Sequence, residues 1–234
     1  MPPRPDTRGA GRFGGAQSNF SRFAGSGSRS SLEKALSSYV RSGNGGARRA
    51  ARRMGSSRAS GNRLLTVLRN VEQVGAAEAL RRLNLQSLAG QPAADVFLAM
   101  MDFVCPPGGS LDEAIAREAM SDAICDLSEA GLGNFDTLTP EQLNEFFLDF
   151  IARSIEGRVI NDIGARGITL PADAAAAENV AQQLHDFISG STKGALMDKL
   201  DGLASLNDSG VSALVNEIYE TSFELVAVAA EAAE

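Results

Sequence analysis

Few side chains in these 234 residues have a type and spacing that could do chemistry. The single histidine, His185, would have to sit at the centre of any Ser-His-Asp triad. A tetrahedral zinc site would need His185, Cys105, Cys125 and a carboxylate to converge from distant points of the chain. His185 lies in the run Val180–Ile188, where Val180, Leu184, Phe187 and Ile188 share one helical face and the imidazole falls toward its flank, so a rim position is expected. Two cysteines are too few for a disulfide scaffold, and both read as core thiols. There is no Gly-rich phosphate loop ending in Lys-Ser/Thr, no strand-turn-helix dinucleotide fingerprint and no HExxH pair. This inventory gives no support to an enzyme, and neither metal nor cofactor is expected.

Three polar constellations remain. Arg8-Gly9-Ala10-Gly11-Arg12-Phe13 and Asn19-Phe20-Ser21-Arg22-Phe23 interleave Arg with Gly and Phe, a mixture suited to single-stranded nucleic acid because guanidinium groups pair with phosphates while rings stack on bases. The alternative is that Phe20 and Phe23 dock on the rest of the chain. Arg48, Arg49, Arg52, Arg53, Arg58 and Arg63 place six cations within sixteen residues, enough to follow a phosphate backbone or to grip an acidic protein surface. Finally, Ser154, Arg158, Asn161 and Asp162 continue, at 100° per residue, the helical face occupied upstream by Leu143, Phe147 and Phe150. Arg158 and Asp162 are i, i+4 neighbours able to pair, and Asn161 can satisfy further donors or acceptors. That cluster reads as an internal polar network, as the point where the helix leaves the core, or as a pocket or partner contact.

The elements that must position these residues read as helices. Apolar residues recur at helical spacing in 31–42 (Leu32, Leu36, Tyr39, Val40), in the basic amphipathic stretch 47–54, in 60–74 (Leu64, Val67, Leu68, Val71), and in 93–104 (Phe97, Met100, Met101, Val104). Ser110 with Glu113, and Thr139 with Gln142, fit capping boxes. The helix after Ser110 scatters its apolar residues around the wheel, as expected of a central helix. The one after Thr139 carries the strongest stripe, Leu143, Phe146, Phe147, Phe150, Ile151 and Ile155. Further helices are expected at about 172–189, 194–206 and 210–231. No stretch alternates with period two, so the expected fold is all-α: a compact multi-helix domain preceded by a disordered, basic, Gly/Ser/Arg-rich N-terminal tail.

Charge divides the chain the same way. Residues 1–82 hold 16 of the 22 Lys+Arg and four acids, a charge of +12, whereas residues 83–234 hold six basic residues against 25 acids, a charge of −19. The expected organisation is a disordered tail over 1–30 and a helical domain over 31–234, divided into a basic entry segment (31–74) and an acidic body (75–234). No apolar run approaches the roughly 18 residues a membrane helix needs, and no signal-peptide stretch opens the chain, so a cytoplasmic protein without a membrane partner is expected.

Several runs together resemble a known family. Asn19–Phe23, Gly46–Gly55 around Arg48-Arg49-Ala50-Ala51-Arg52-Arg53, Cys105-Pro106-Pro107-Gly108-Gly109 followed by Asp112–Glu118, and Asn161–Gly164 before Leu170-Pro171-Ala172-Asp173 are similar to the QatB component of the bacterial Qat anti-phage defence system, with the likeness running from about Phe13 to Phe223. In that family the operon also encodes an ATPase, a QueC-like enzyme and a TatD-like nuclease. The resemblance implies a non-catalytic accessory or adaptor subunit contacting the QueC-like enzyme, with the ATPase and nuclease as further partners. QueC-type enzymes use ATP to activate a carboxylate and join it to a nitrogen nucleophile, so the resemblance also implies that the N-terminal tail serves as substrate or guide. Family members begin with a Gly- and Pro-rich leader absent from this chain, which implies a shortened form. The residues implicated in partner binding are Phe20, Phe23, Arg48, Arg49, Arg52, Arg53, Arg58 and Arg63. The alternative reading is a nucleic-acid-binding protein using the Arg/Phe/Gly tail and the Arg48–Arg63 segment, and a third is an enzyme acting through residues 154–162.

Overall fold

A computed structural model describes residues 11–164 and 173–229. All of its regular elements among these residues are helical: α1 (Gly14–Ser26), α2 (Arg29–Ser38), α3 (Ala47–Arg52), α4 (Gly55–Val74), α5 (Ala76–Arg82), α6 (Ala93–Ala99), α7 (Met101–Val104), α8 (Leu111–Ala130), α9 (Pro140–Gly164), α10 (Ala174–Leu196) and α11 (Asp208–Ala229). The all-α expectation holds. One apolar core runs through the whole arrangement, from Phe13 to Ala227.

The centre is α9. Its buried residues include the unbroken run Phe146–Ala152, which covers every side of the helix. It packs on α4, α8 and α10, while α11 closes the core against α2, α3, α4 and α10. The expected central position of α8 is therefore corrected: α8 buries Ile115, Ala116, Ala119, Met120, Ala123, Ile124 and Leu127 and turns its remaining face outward. Its small residues let it lie close to α9, and their even spread in the sequence reflects alanine's indifference to burial. Cys125 falls on the outward face and is exposed, unlike Cys105, which is buried.

Both capping boxes form. Ser110 Oγ accepts from Glu113 N while Glu113 accepts from Ser110 N at 2.9 Å, and Thr139 and Gln142 make the same reciprocal pair. Asp173 Oδ2 caps α10 through Ala176 N at 3.0 Å. Two expected helices differ in form. The stretch 93–104 breaks at Met100 into α6 and α7, and 194–206 becomes the end of α10 plus two 3₁₀ turns, Met197–Leu200 and Leu203–Ser205. Leu196, Leu200 and Leu203 are all buried, so the apolar spacing was satisfied by tighter turns.

The largest departure lies at the N-terminus. Disorder through residue 30 is not what the described part of that segment adopts: α1 is a three-turn helix ending at Gly27, whose φ of +65° permits its N–H to bond Phe23 O at 2.7 Å and turn the chain into α2. Phe20 and Phe23 are 3% and 0% exposed, and Phe13 stacks on Tyr39 with centroids 5.2 Å apart. Composition understated this segment because, although Phe20 and Phe23 pair edge to face within it, their burial comes from packing on elements outside it, chiefly α2. Residues 1–10 with the Arg8-Gly9-Ala10 motif, the Leu170–Ala172 run, and residues 230–234 lie outside the described residues.

Candidate functional site

Behind α2 the chain makes a π-turn, Tyr39–Gly43, followed by the glycine loop Asn44-Gly45-Gly46, in which Gly45 and Gly46 take φ of +71° and +107°. The turn exists to place two polar hubs. Asn44 is buried; its amide donates to Tyr39 O at 3.0 Å, and its Oδ1 accepts from Arg12 at 3.3 Å and Arg53 at 3.4 Å. Arg12 also donates to Gly43 O. Both guanidinium groups lie against the Phe13 ring, at 5.3 and 5.6 Å from its centroid. Phe13 fits only because residue 43 is glycine, since a Cβ there would stand 2.4 Å from its Cδ1.

The second hub is Asp162, whose side chain is 8% exposed. Its carboxylate accepts from Tyr39 Oη at 2.9 Å, Arg158 Nε at 3.2 Å and Arg53 at 3.3 Å, and Arg158 reaches on to Asp112 on α8. The π-turn and Arg53 at the end of α3, close in sequence to each other, therefore meet the distant α9 on one carboxylate. Burial, then the Asp162 charge, push the Tyr39 hydroxyl well above the usual tyrosine range. Burial opposes the charge on Arg158, yet Asp162 and Asp112 outweigh it and hold the guanidinium above its ordinary value. The sequence put Arg158, Asn161 and Asp162 together. The structure joins the first and third, whereas Asn161 lines a separate groove between α8 and α9 with Leu111 and Ile160. Ser154 is fully buried and bonds Tyr219 Oη at 2.8 Å on α11.

The six arginines of 48–63 do not form one track. Arg48 pairs with Glu220 at 3.1 Å and Arg58 bonds Asn216, both on α11; Arg63 donates to Val104 O at 3.0 Å. Arg53 belongs to the two hubs. Arg49 and Arg52 are exposed and have no hydrogen-bond or ion-pair partner among the described residues. With Arg12, Arg53 and the Ser42–Gly45 backbone they line an open concavity of about 490 Å³.

A second titratable cluster escaped the sequence reading because its members come from three helices. His185 Nδ1 lies 3.0 Å from Glu156, and His185 Nε2 lies 3.8 Å from Asp149, so the imidazole sits at the expected rim but within a carboxylate group. Asp126, Asp149 and His185 bring ligand-type atoms within 4.8 Å of one another. Arg153 already bridges Asp149 and Asp126, and Lys193 sits 3.0 Å from Asp149, so cations of the protein neutralise these acids and tie α8, α9 and α10 together. The cluster does the work of a clamp.

Fold and sites define a helical protein whose buried ionisable groups are engaged in joining helices. The chain belongs to the family described as Qat anti-phage system associated protein QatB, whose profile matches residues 45–226. Comparison with curated proteins and with solved structures gave no match. Among the described residues no helix is long and apolar enough to cross a membrane.

Proposed function

We propose that this chain is a non-catalytic accessory subunit of its anti-phage system that docks on the QueC-like enzyme encoded beside it and offers its N-terminal residues to that enzyme as substrate or guide. The ATPase and the TatD-like nuclease of the same operon are further candidate partners. The family description, an associated protein with no named reaction, supports the accessory role. The observation that carries the substrate reading is the anchoring of α1: Phe13, Phe20 and Phe23 fasten the N-terminal region to the core, and Gly11 is exposed at the rim of the arginine concavity. A partner that reads the N-terminal end meets Gly11 and Arg12 where these rings anchor them.

Co-purification with the QueC-like enzyme, using the full chain and a chain starting at Gly11, tests this, with intact mass read after incubation with ATP and the enzyme. The expected result is a complex with the full chain and a mass increase that the shortened chain lacks. A truncation at residue 30 is unsuitable because it removes Phe20 and Phe23 from the core. Absence of a complex with either chain overturns the reading.

A further inference from the structure

We infer that the concavity bounded by Arg12, Arg49, Arg52, Arg53 and the Ser42–Gly45 turn is a binding site for clustered phosphoryl groups, supplied by a nucleotide or by the phosphorylated end of a polynucleotide. Four guanidinium groups converge here, and of these only Arg53 has a carboxylate partner among the described residues. The sequence elsewhere in the chain is strongly acidic, so mutual repulsion of unpaired cations is not imposed by a shortage of acids. Two of the four are pre-positioned: Arg12 and Arg53 share the Oδ1 of buried Asn44 and rest on one phenylalanine ring, which leaves their remaining N–H groups fixed in direction. The other two, Arg49 and Arg52, stand one helical turn apart on α3, free to close on a ligand.

The chemistry of the lining selects the ligand class. Guanidinium forks match phosphoryl oxygens in pairs, and several together suit a group with more than one negative charge and three or more acceptors. The Arg49 side chain lies over Gly45, whereas Gly46 at φ +107° has open space where a Cβ would stand, so an anion held by Arg49 can approach the loop backbone there. A volume of about 490 Å³ exceeds one phosphate and falls in the roughly 300–1,000 Å³ range of small-molecule sites. Since Arg48, Arg58 and Arg63 are turned onto protein acceptors, the remaining cations of that segment are confined to one open concavity and do not extend into a groove-length track for a duplex.

The test uses the full chain at low salt. Titration calorimetry measures inorganic pyrophosphate and ATP, with sulfate as the comparison anion. Fluorescence anisotropy measures an oligothymidylate with and without a 5′-phosphate. Arg49→Ala/Arg52→Ala is the variant, since neither side chain supports a described contact, and Arg48→Ala, which lies toward α11, is the control. The expected result is saturable pyrophosphate binding that weakens about tenfold or more in the double variant and changes less than about twofold in the control. ATP binding with pyrophosphate identifies a free nucleotide as the source. Preference for the 5′-phosphorylated oligonucleotide, displaced by pyrophosphate, identifies a polynucleotide end. The inference is overturned if none of these bind, if sulfate binds as tightly as pyrophosphate, if oligonucleotides bind regardless of their 5′-phosphate, or if the double variant binds unchanged. The co-purification above reads a different contact, so the two readings fail separately.

Discussion

At the residue scale, Asp162 concentrates more of the fold's polar bonding than any position the sequence marked. Replacing it with Ala leaves Tyr39, Arg53 and Arg158 short of an acceptor, and a loss of roughly 2–4 kcal/mol in urea unfolding is expected. Unchanged unfolding in that variant would remove its structural role. Tyr39 and Tyr219 are the two tyrosines of a chain without tryptophan, both are fully buried, and burial raises both hydroxyls. A raised value means stability complete below the ordinary tyrosine value of 10.0 and lost as pH climbs beyond it. Phenolate absorbance near 295 nm should therefore stay silent through pH 10 and then rise together with loss of helical circular dichroism. Independent titration ahead of unfolding would contradict the burial described. Arg158 and Asp162 were legible in the sequence as an i, i+4 pair. Tyr39 was legible only as an apolar position of the 31–42 stripe, and Asn44 not at all, because periodicity reports burial and carries no signal for the hydroxyl and amide bonds they make.

At the scale of elements, periodicity located α4, α9 and α11, and the capping boxes gave the first turns of α8 and α9, because those signals are local. It failed at α1, where phenylalanines too sparse to show a period in a Gly/Ser-rich segment are buried by packing on α2 and the turn after it, with α9 and α10 closing over them. Phe23→Ala should cost about 3–5 kcal/mol, whereas Phe103→Ala, at a ring 48% exposed, should fall within about 0.5 kcal/mol of the parent protein. Thermal melts of the two variants separate a docked helix from a loose tail, and equal melts would refute the docking. The cap of α8 offers a smaller test. Hydrogen bonds from Ser110 hold the Glu113 carboxyl below its usual value, so the cap contributes above the ordinary carboxylate range and is lost as pH falls through it. Ser110→Ala should lower stability by about 1 kcal/mol at neutral pH, and the difference should shrink in acid.

At the scale of the whole molecule, the two halves of the charge distribution meet where the basic segment faces α11. Arg48–Glu220 is a solvent-facing ion pair and Arg58–Asn216 a hydrogen bond to a neutral amide, each worth little, so added salt should lower the melting temperature only slightly. Because α1 is held by rings and not by charge, hydrogen exchange of its amides should be unaffected by salt; release of α1 on raising salt would show that the apolar contacts do not hold it. The charge asymmetry visible in the sequence thus describes a surface more than a fold. One contact has a mechanical side. The Phe13 ring occupies the space a Cβ would need at Gly43, while its neighbour Arg12 reaches the same turn, so the first described residues are packed and hydrogen-bonded to the wall of the concavity. If the proposed ligand and the proposed partner both bind, thermodynamic linkage makes the traffic two-way: a ligand that sets Arg12 biases the partner's contact at Gly11, and that contact biases the concavity by the same free energy. The glycine at position 43 is the pivot of that lever, and Gly43→Ala, by displacing Phe13, would also unseat Arg12 and Arg53 from its ring.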